Sequence, residues 1–541
     1  MTTTGEGPDR VVRGAVAEWV LRAHQPRANP YTEVVVSAEF RGPRGQVRTI
    51  EGFFDGEAFR VRFSPDESGP WTVGVTSLPR DAGLRLEAGF EVLPDAGTGA
   101  GGPVRAVPGT GWGFTDADGR PVFLLGDTAY HLFGMAHCGA DVAGYLRRRR
   151  DQGFDLVRVR VPVSPFHPPD GHNDWQTRSC WPWGGSPQYP LFDRFDAAWF
   201  ETVDRVVAEA SRIGIGLELI IEGWGMEFPF NARGSFTAEW EDLWLRHLVA
   251  RYDAWDSVWV WTLMNEYEFY PDGIAQYTRV ADLWALRTAR RLKQLGAHGK
   301  AVAVHNGPAG PPFAERFAVD PEAVDVVMVQ SWGGHDTQDG WLATGLEARI
   351  GELLEGWKGS ALLSEYGYER NPDLPLLFPL HEYCDVEHTR RGAWRGAMSG
   401  LGVVHGFDNT WGPFLELGDD QEGVAALLHL ARFFREHVEF HRLRPAPGLV
   451  AGPPAAAGRS ALALRDAGSG TVVLYLPVGG SVRLTGLGAP TAAVRDYDPR
   501  TGVLSEPRVQ SCDLPFGAAD RADRASGDLR DQVLLIEPAA R

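Results

Sequence analysis

Two glutamates carry the clearest chemical signal in this sequence. In WTLMNEYEFY, residues 261–270, an apolar run ends in Asn265 and Glu266, with Glu268 two residues further on. Far down the chain, in ALLSEYGYE, a second apolar run ends in Glu365. A charge at the mouth of a buried strand loses hydration, so something must compensate for it. Two carboxyl groups brought together can divide the work of breaking a glycosidic bond. A protonated one donates to the leaving oxygen, and an ionised one attacks the anomeric carbon. A separation of about 5–5.5 Å implies retention, whereas roughly 6.5–9.5 Å admits a water and implies inversion. Taken singly, either Glu could equally be a solvated rim group or an arginine partner; it is their joint occurrence on strand ends that favours chemistry.

The elements that must hold them follow from the apolar pattern. From Pro121 onward, short apolar runs alternate with amphipathic stretches, as a parallel sheet with crossover helices requires. The runs are PVFLLGD, FDLVRVRV, IGLELIIEG, VWVWTLMNE, AVAVHN, AVDVVMVQS, SALLSEYG and GVVHGFDN. Helical spacing falls between them, for example in FETVDRVVAEASRIG and ADLWALRTARRLKQL. Eight such units predict a closed eight-fold (β/α) TIM barrel, whose chemistry sits at the C-terminal strand ends. Those ends carry Asp127, Arg158 and Arg160, Glu222, Asn265 and Glu266, His305 and Asn306, Gln330, Glu365, and Asp408. Apolar strand bodies with polar ends mark a cleft. Asn265 is placed to bond a sugar hydroxyl, while Tyr366 and Arg158 or Arg160 could donate to Glu365, which would make Glu266 the proton donor. Asp127, Arg160, Trp224, His305, Trp332 and Trp411 complete the candidate substrate-binding set, the tryptophans as stacking platforms. Glu268 reads as a loop or rim group, and Glu222, Glu227, Asp127 and Asp408 as rival carboxylates. The segment HPPDGHNDWQTRSCWPWGGSPQYP, with Trp175, Trp181, Trp183 and Tyr189, has the length and texture of a binding loop.

The flanks have a different texture. EVVVSAEF, FRVRFSP, WTVGVTS and FEVLP are short strands punctuated by turn residues, as are SALALRD, TVVLYLPV and QVLLIEP near the other end. The division expected is an N-terminal immunoglobulin-like β-sandwich over 1–97, a catalytic barrel over 98–445 and a C-terminal β-sandwich over 446–541. A Gly-rich stretch, DAGTGAGG, lies near the first boundary. A net charge of −18 disfavours nucleic acid, anionic membrane surfaces and polyanionic substrates. Four cysteines without paired spacing imply no disulfide framework. The N-terminal residues lack the apolar core of a signal peptide, which suggests a cytoplasmic protein. His167, Asp170, His172 and Asp174 form only a loose cluster, so no metal site is expected, and the chemistry needs no cofactor. A homo-oligomer is compatible with the sequence.

Several motifs are also familiar. RPVFLLGDTAYHLF with YLRRRRDQGFDLVRVRV resembles the opening of Apiosidase-like glycoside hydrolase barrels. VWVWTLMNE and LLSEYGYE resemble the acid/base and nucleophile strands of clan A glycoside hydrolases. NPYTEVVVSAEF, GFFDGEAFRVRFSP and GPWTV resemble the β-sandwich commonly fused ahead of such barrels, and DYDPRTG with QVLLIEP the small β-domain that follows them. The resemblance implies Glu266 as acid/base, Glu365 as nucleophile, Asn265 as a sugar-hydroxyl ligand and Trp411 as a stacking platform. It aligns Asp127 with the first-strand Asp of the motif. Tyr130 departs from it, standing where GDTAW carries Trp. The function expected is a retaining glycoside hydrolase acting on short β-linked oligosaccharides or glycosides; the alternatives are a non-catalytic carbohydrate-binding barrel or sensor, and an inverting hydrolase.

Overall fold

The computed structural model describes residues 5–95, 104–108, 112–162, 180–187, 189–223, 235–274, 276–307, 310–331, 345–376, 382–412, 417, 421–452, 459–518, 522–523 and 528–539. Eight parallel strands close on themselves: β1 (Leu125–Thr128), β2 (Leu156–Arg160), β3 (Gly216–Glu222), β4 (Val258–Met264), β5 (Ala301–His305), β6 (Val326–Gln330), β7 (Ser360–Glu365) and β8 (Gly402–Gly406). Each of these strands is buried along its whole length. Side chains on one face fill the barrel and those on the other meet the helices, which is why the runs read as continuously apolar. The eight sequence runs correspond one for one to these strands.

The helices are set by local chemistry. Over Ala197–Ile213, Asp196 caps the start by accepting from the Trp199 N–H at 2.7 Å, and Gly214 ends it in a left-handed conformation at φ 77°. Its buried stripe of Trp199, Phe200, Val203, Val207 and Ala210 faces the sheet. The helices Ala238–Tyr252 and Arg279–Leu295 pack in the same way.

Strand alternation sorts the interior. Leu124, Leu156, Val260, Ala301, Ala303, Val326, Met328, Leu362 and Val404 form one apolar cluster inside the barrel, while Leu125, Val157, Val159, Val302, Val327 and Leu363 belong to the layer shared with the helices. With a period of two, Arg158, Arg160 and His305 therefore continue the inward-facing rows, and Asp127 continues the outward row of Leu125. Glu365 has the outward parity of Leu363. A register shift corrects it: Val329 pairs with Leu363 but Gln330 pairs with Glu365, so Ser364 is an extra residue on β7. This bulge turns Glu365 inward beside Gln330.

On the N-terminal side, a four-stranded and a five-stranded sheet sandwich one core containing Trp19, Phe40, Val61, Phe63, Trp71 and Phe90. The sandwich is pinned to the barrel's helical layer by Arg62, which donates to Asp204 at 2.9 Å and to the Arg251 carbonyl at 3.0 Å. On the C-terminal side, a seven-stranded sheet from Arg444–Pro445 to Gln532–Pro538 encloses a third core, including Leu474, Val494, Phe516 and Ile536. Among the described residues, no helix is long and apolar enough to cross a membrane.

Candidate active site

At the C-terminal ends of β2, β4, β5 and β7, charged and polar side chains meet in a space the apolar cluster does not reach. Arg158 is the hub. It is fully buried, and its guanidinium donates to Glu218 at 3.1 Å, to the Tyr130 hydroxyl at 2.8 Å and to Asn265 Oδ1 at 2.5 Å. It also lies 3.8 Å from Glu365 Oε1. Burying a guanidinium is tolerable only with such partners, and three oxygen acceptors plus a nearby carboxyl supply them.

Glu365 is gripped on one oxygen. Tyr130 and Tyr368 each donate to Oε1 at 2.5 Å. Burial holds both phenols well above their ordinary value, so each keeps its proton and acts as a donor. The other oxygen, Oε2, lies 3.6 Å from His305 Nε2.

His305 reaches both glutamates with one ring. The Glu266 backbone N–H donates to His305 Nδ1 at 3.1 Å, so the ring proton sits on Nε2, the atom that faces Glu365. Burial, reinforced by Arg158 and Arg160, pushes this imidazole well below its ordinary value and keeps it neutral. Glu266 itself adopts φ 54°, the single positive φ outside glycine among the described residues. Such backbone costs free energy and concentrates at functional sites. Gly307 makes room for it, since a Cβ there would sit 2.6 Å from the Glu266 Cβ.

The Glu266 carboxyl accepts from the Gln330 side-chain amide. Desolvation, followed by the nearby Glu365 charge, raises its pKa from 4.5 to about 8; the Gln330 bond and Arg160 act against this. Asn265 Oδ1 accepts from Arg158 and lies 3.1 Å from the Tyr130 hydroxyl, whose one proton goes to Glu365; the Arg158 bond orients the amide and leaves Nδ2 as its outward donor. Trp411, at the end of a short helix over Asp408–Trp411, is partly exposed and packs 5.1 Å from the Tyr368 ring.

Five of the sequence-derived candidates thus gather here: Glu266, Glu365, Asn265, His305 and Trp411. Arg160 joins them with its guanidinium 4.2 Å from the Tyr130 ring centroid. Asp127 does not. It faces outward and is fully buried, with Oδ2 bound by Arg149 at 2.6 Å and Tyr145 at 2.8 Å and Oδ1 by the Thr128 N–H at 2.8 Å. Alternation, not the strand end, decides its direction, and its role is to hold the helix Val142–Gln152. Tyr366 also turns away, donating to the Thr389 carbonyl at 3.2 Å; Tyr368 takes the place expected of it. Glu268 is no rim group, since it is fully buried and paired with Arg316. Glu222 shares a hydrogen bond with Glu241 at the helical layer, where burial and the second carboxyl raise it well above its ordinary value.

Trp181 and Trp183 are packing residues rather than platforms, and Trp183 lies 4.5 Å from Trp244. Tyr189 is 82% exposed. Trp224, Trp332, Trp175, Glu227, His167, Asp170, His172 and Asp174 lie outside the described residues. Among the described residues, no cluster of three His, Cys, Asp or Glu side chains could hold a metal ion. Sequence reasoning passed over Tyr368, Glu218 and the direct role of Tyr130. The spacing SEYGY, three residues from Glu365 to Tyr368, was the available signal for the first.

Comparison with known proteins places the chain in a family and a fold. Residues 111–424 match the family model described as "Apiosidase-like, catalytic domain". Residues 14–78 match a domain of unknown function, DUF5060. No curated protein matches the sequence. A solved candidate glycoside hydrolase from Bacteroides vulgatus superposes with a TM-score of 0.67 at 18% identity, covering 98% of this chain and 100% of the other. A glycoside hydrolase family 5 structure from the same organism gives 0.60 at 17% identity, covering 81% and 94%. At these identities the structural likeness speaks to the fold.

Proposed function

The chain belongs to the family of Apiosidase-like catalytic domains and is a glycoside hydrolase; from that premise we propose that it cleaves short β-linked oligosaccharides or glycosides with retention, Glu266 acting as acid/base and Glu365 as nucleophile. The observation that carries this reading is the His305 ring, which touches the Glu266 backbone on one nitrogen and faces Glu365 Oε2 with the other. Two carboxyl groups held around one ring have different environments, and those environments divide the roles.

Glu266, with its raised pKa, keeps its proton at neutral pH and can give it to the leaving oxygen. Glu365 has Oε1 held by two phenols, so Oε2 is the atom that attacks the anomeric carbon. Bond formation at Oε2 expels the aglycone as it takes the Glu266 proton. In the second half, Glu266 as carboxylate removes a proton from water, the water oxygen bonds to the anomeric carbon, and Glu365 leaves with its electron pair. Asn265 Nδ2 would donate to the hydroxyl beside the reacting carbon, a contact that strengthens as charge develops there. Trp411 would stack on the sugar face.

The test is trapping with 2-deoxy-2-fluoro glycosides of several sugars, followed by peptide mass spectrometry. The label is expected on Glu365. Labelling of another residue, or full activity in Glu365→Ala, refutes the assignment. Proton NMR of the first anomer released separates retention from inversion.

A further inference from the structure

Cys138 and Cys180 are separated by 42 residues, and nothing in their sequence spacing pairs them, yet their Sγ atoms lie 3.8 Å apart. Cys138 caps the helix Leu132–His137, which begins two residues after Tyr130, and it is half-exposed. Cys180 is 6% exposed, and it immediately precedes Trp181 and Trp183, which are buried against the barrel core. A disulfide needs an S–S separation of about 2.05 Å, so the two sulfurs must approach by under about 2 Å, within reach of side-chain rotation and a small backbone shift. Gly139, at φ 96° with open space where a Cβ would sit, directly follows Cys138 and can absorb that shift.

We propose that Cys138 and Cys180 are a dithiol site that low-molecular-weight disulfides, such as glutathione disulfide, convert reversibly to an intrachain disulfide. Exposure sets the order of events. The Cys138 thiolate attacks one sulfur of the oxidant, and the S–S bond that breaks releases one glutathione thiolate. The Cys180 thiolate then attacks Cys138 Sγ, the mixed disulfide breaks, and a second glutathione thiolate leaves. The two cysteine protons end on the two glutathione thiols; the cysteine pair loses two electrons and the oxidant gains them. The new bond joins the helix that follows Tyr130 to the segment anchored by Trp181 and Trp183. It closes a loop that restricts the unfolded chain, so the oxidised protein melts at a higher temperature.

The experiment equilibrates the full-length protein in glutathione buffers of graded ratio, quenches with acid and alkylates. Expected are a peptide linking residues 138 and 180, a loss of the mass of two hydrogens, and a Tm several degrees above that of the reduced form, all reversed by excess dithiothreitol. Cys180→Ser is expected to accumulate glutathione on Cys138. The double variant Cys384→Ser/Cys512→Ser is expected to keep the linkage. The proposal is overturned if both thiols of the wild type stay alkylatable at every ratio. It is equally overturned if oxidation stops at glutathionylated Cys138, or if the linkage joins other cysteines. The wild-type titration decides the matter even if a variant fails to fold.

Discussion

Replacing Gln330 with Met removes the amide that donates to Glu266 while keeping the length of the side chain. Gln330 is 5% exposed, and its Nε2 also donates to the Asn306 carbonyl at 2.7 Å, so the side chain is firmly held. Its bond favours the ionised form of Glu266, and removing it must raise the Glu266 pKa further. A hydrogen bond to a charged group contributes about 1.5–3 kcal/mol, and about 1.4 kcal/mol corresponds to one pH unit. Glu266 is largely desolvated but keeps some contact with solvent, so water replaces part of the lost bond; the low end applies, a rise of about one unit. Glu266 must be protonated to act as the acid, so activity holds below its pKa and falls above it. The wild-type alkaline limb should therefore lie near the raised value of about 8. In Gln330→Met the limb should move up by about one pH unit. The assay is kcat/KM for a chromogenic glycoside across about pH 5–10, which reports groups of the free enzyme. A limb that stays put or moves down, or an equal loss at every pH, refutes the assignment of Glu266 as the proton donor.

Other substitutions test other parts of the site. Glu266→Gln abolishes most turnover yet stabilises the fold: the raised pKa means native-state stability is present below the unfolded value near 4.5 and is lost as pH climbs through about 8. Its Tm should exceed that of the wild type by a margin that widens over this window, read by scanning fluorimetry. Asp127→Asn breaks the buried pair with Arg149, at a cost of about 3–5 kcal/mol, and should lower the Tm while leaving KM unchanged. Asn265→Ala should lower kcat/KM by about 10²–10³-fold, as loss of a transition-state donor does, with the larger share in kcat. Trp411→Ala should raise KM by up to about tenfold, the worth of one aromatic contact, with kcat less affected.

The barrel was legible in the sequence because a parallel strand covered on both faces must be apolar throughout, and because its polar residues can gather only where it ends. That is why VWVWTLMNE and SALLSEYG stood out, and why Glu266, Glu365, Asn265, His305 and Trp411 were found together. The direction of each side chain was not legible at the same level. Asp127 and Arg158 both end apolar runs, yet one faces the helices and the other the barrel, because alternation within their own strands places them on opposite faces.

The amino-acid order by itself determined the strand count, the flanking β-rich regions and the two glutamates, since each is a local matter of periodicity and residue type. Tertiary structure alone decided three things: the bulge at Ser364 that turns Glu365 inward, the choice of Tyr368 over Tyr366 as its donor, and the contact of Cys138 with Cys180. These depend on register and on the packing of segments distant in the chain. Such relations arise only when strands pair and the barrel closes.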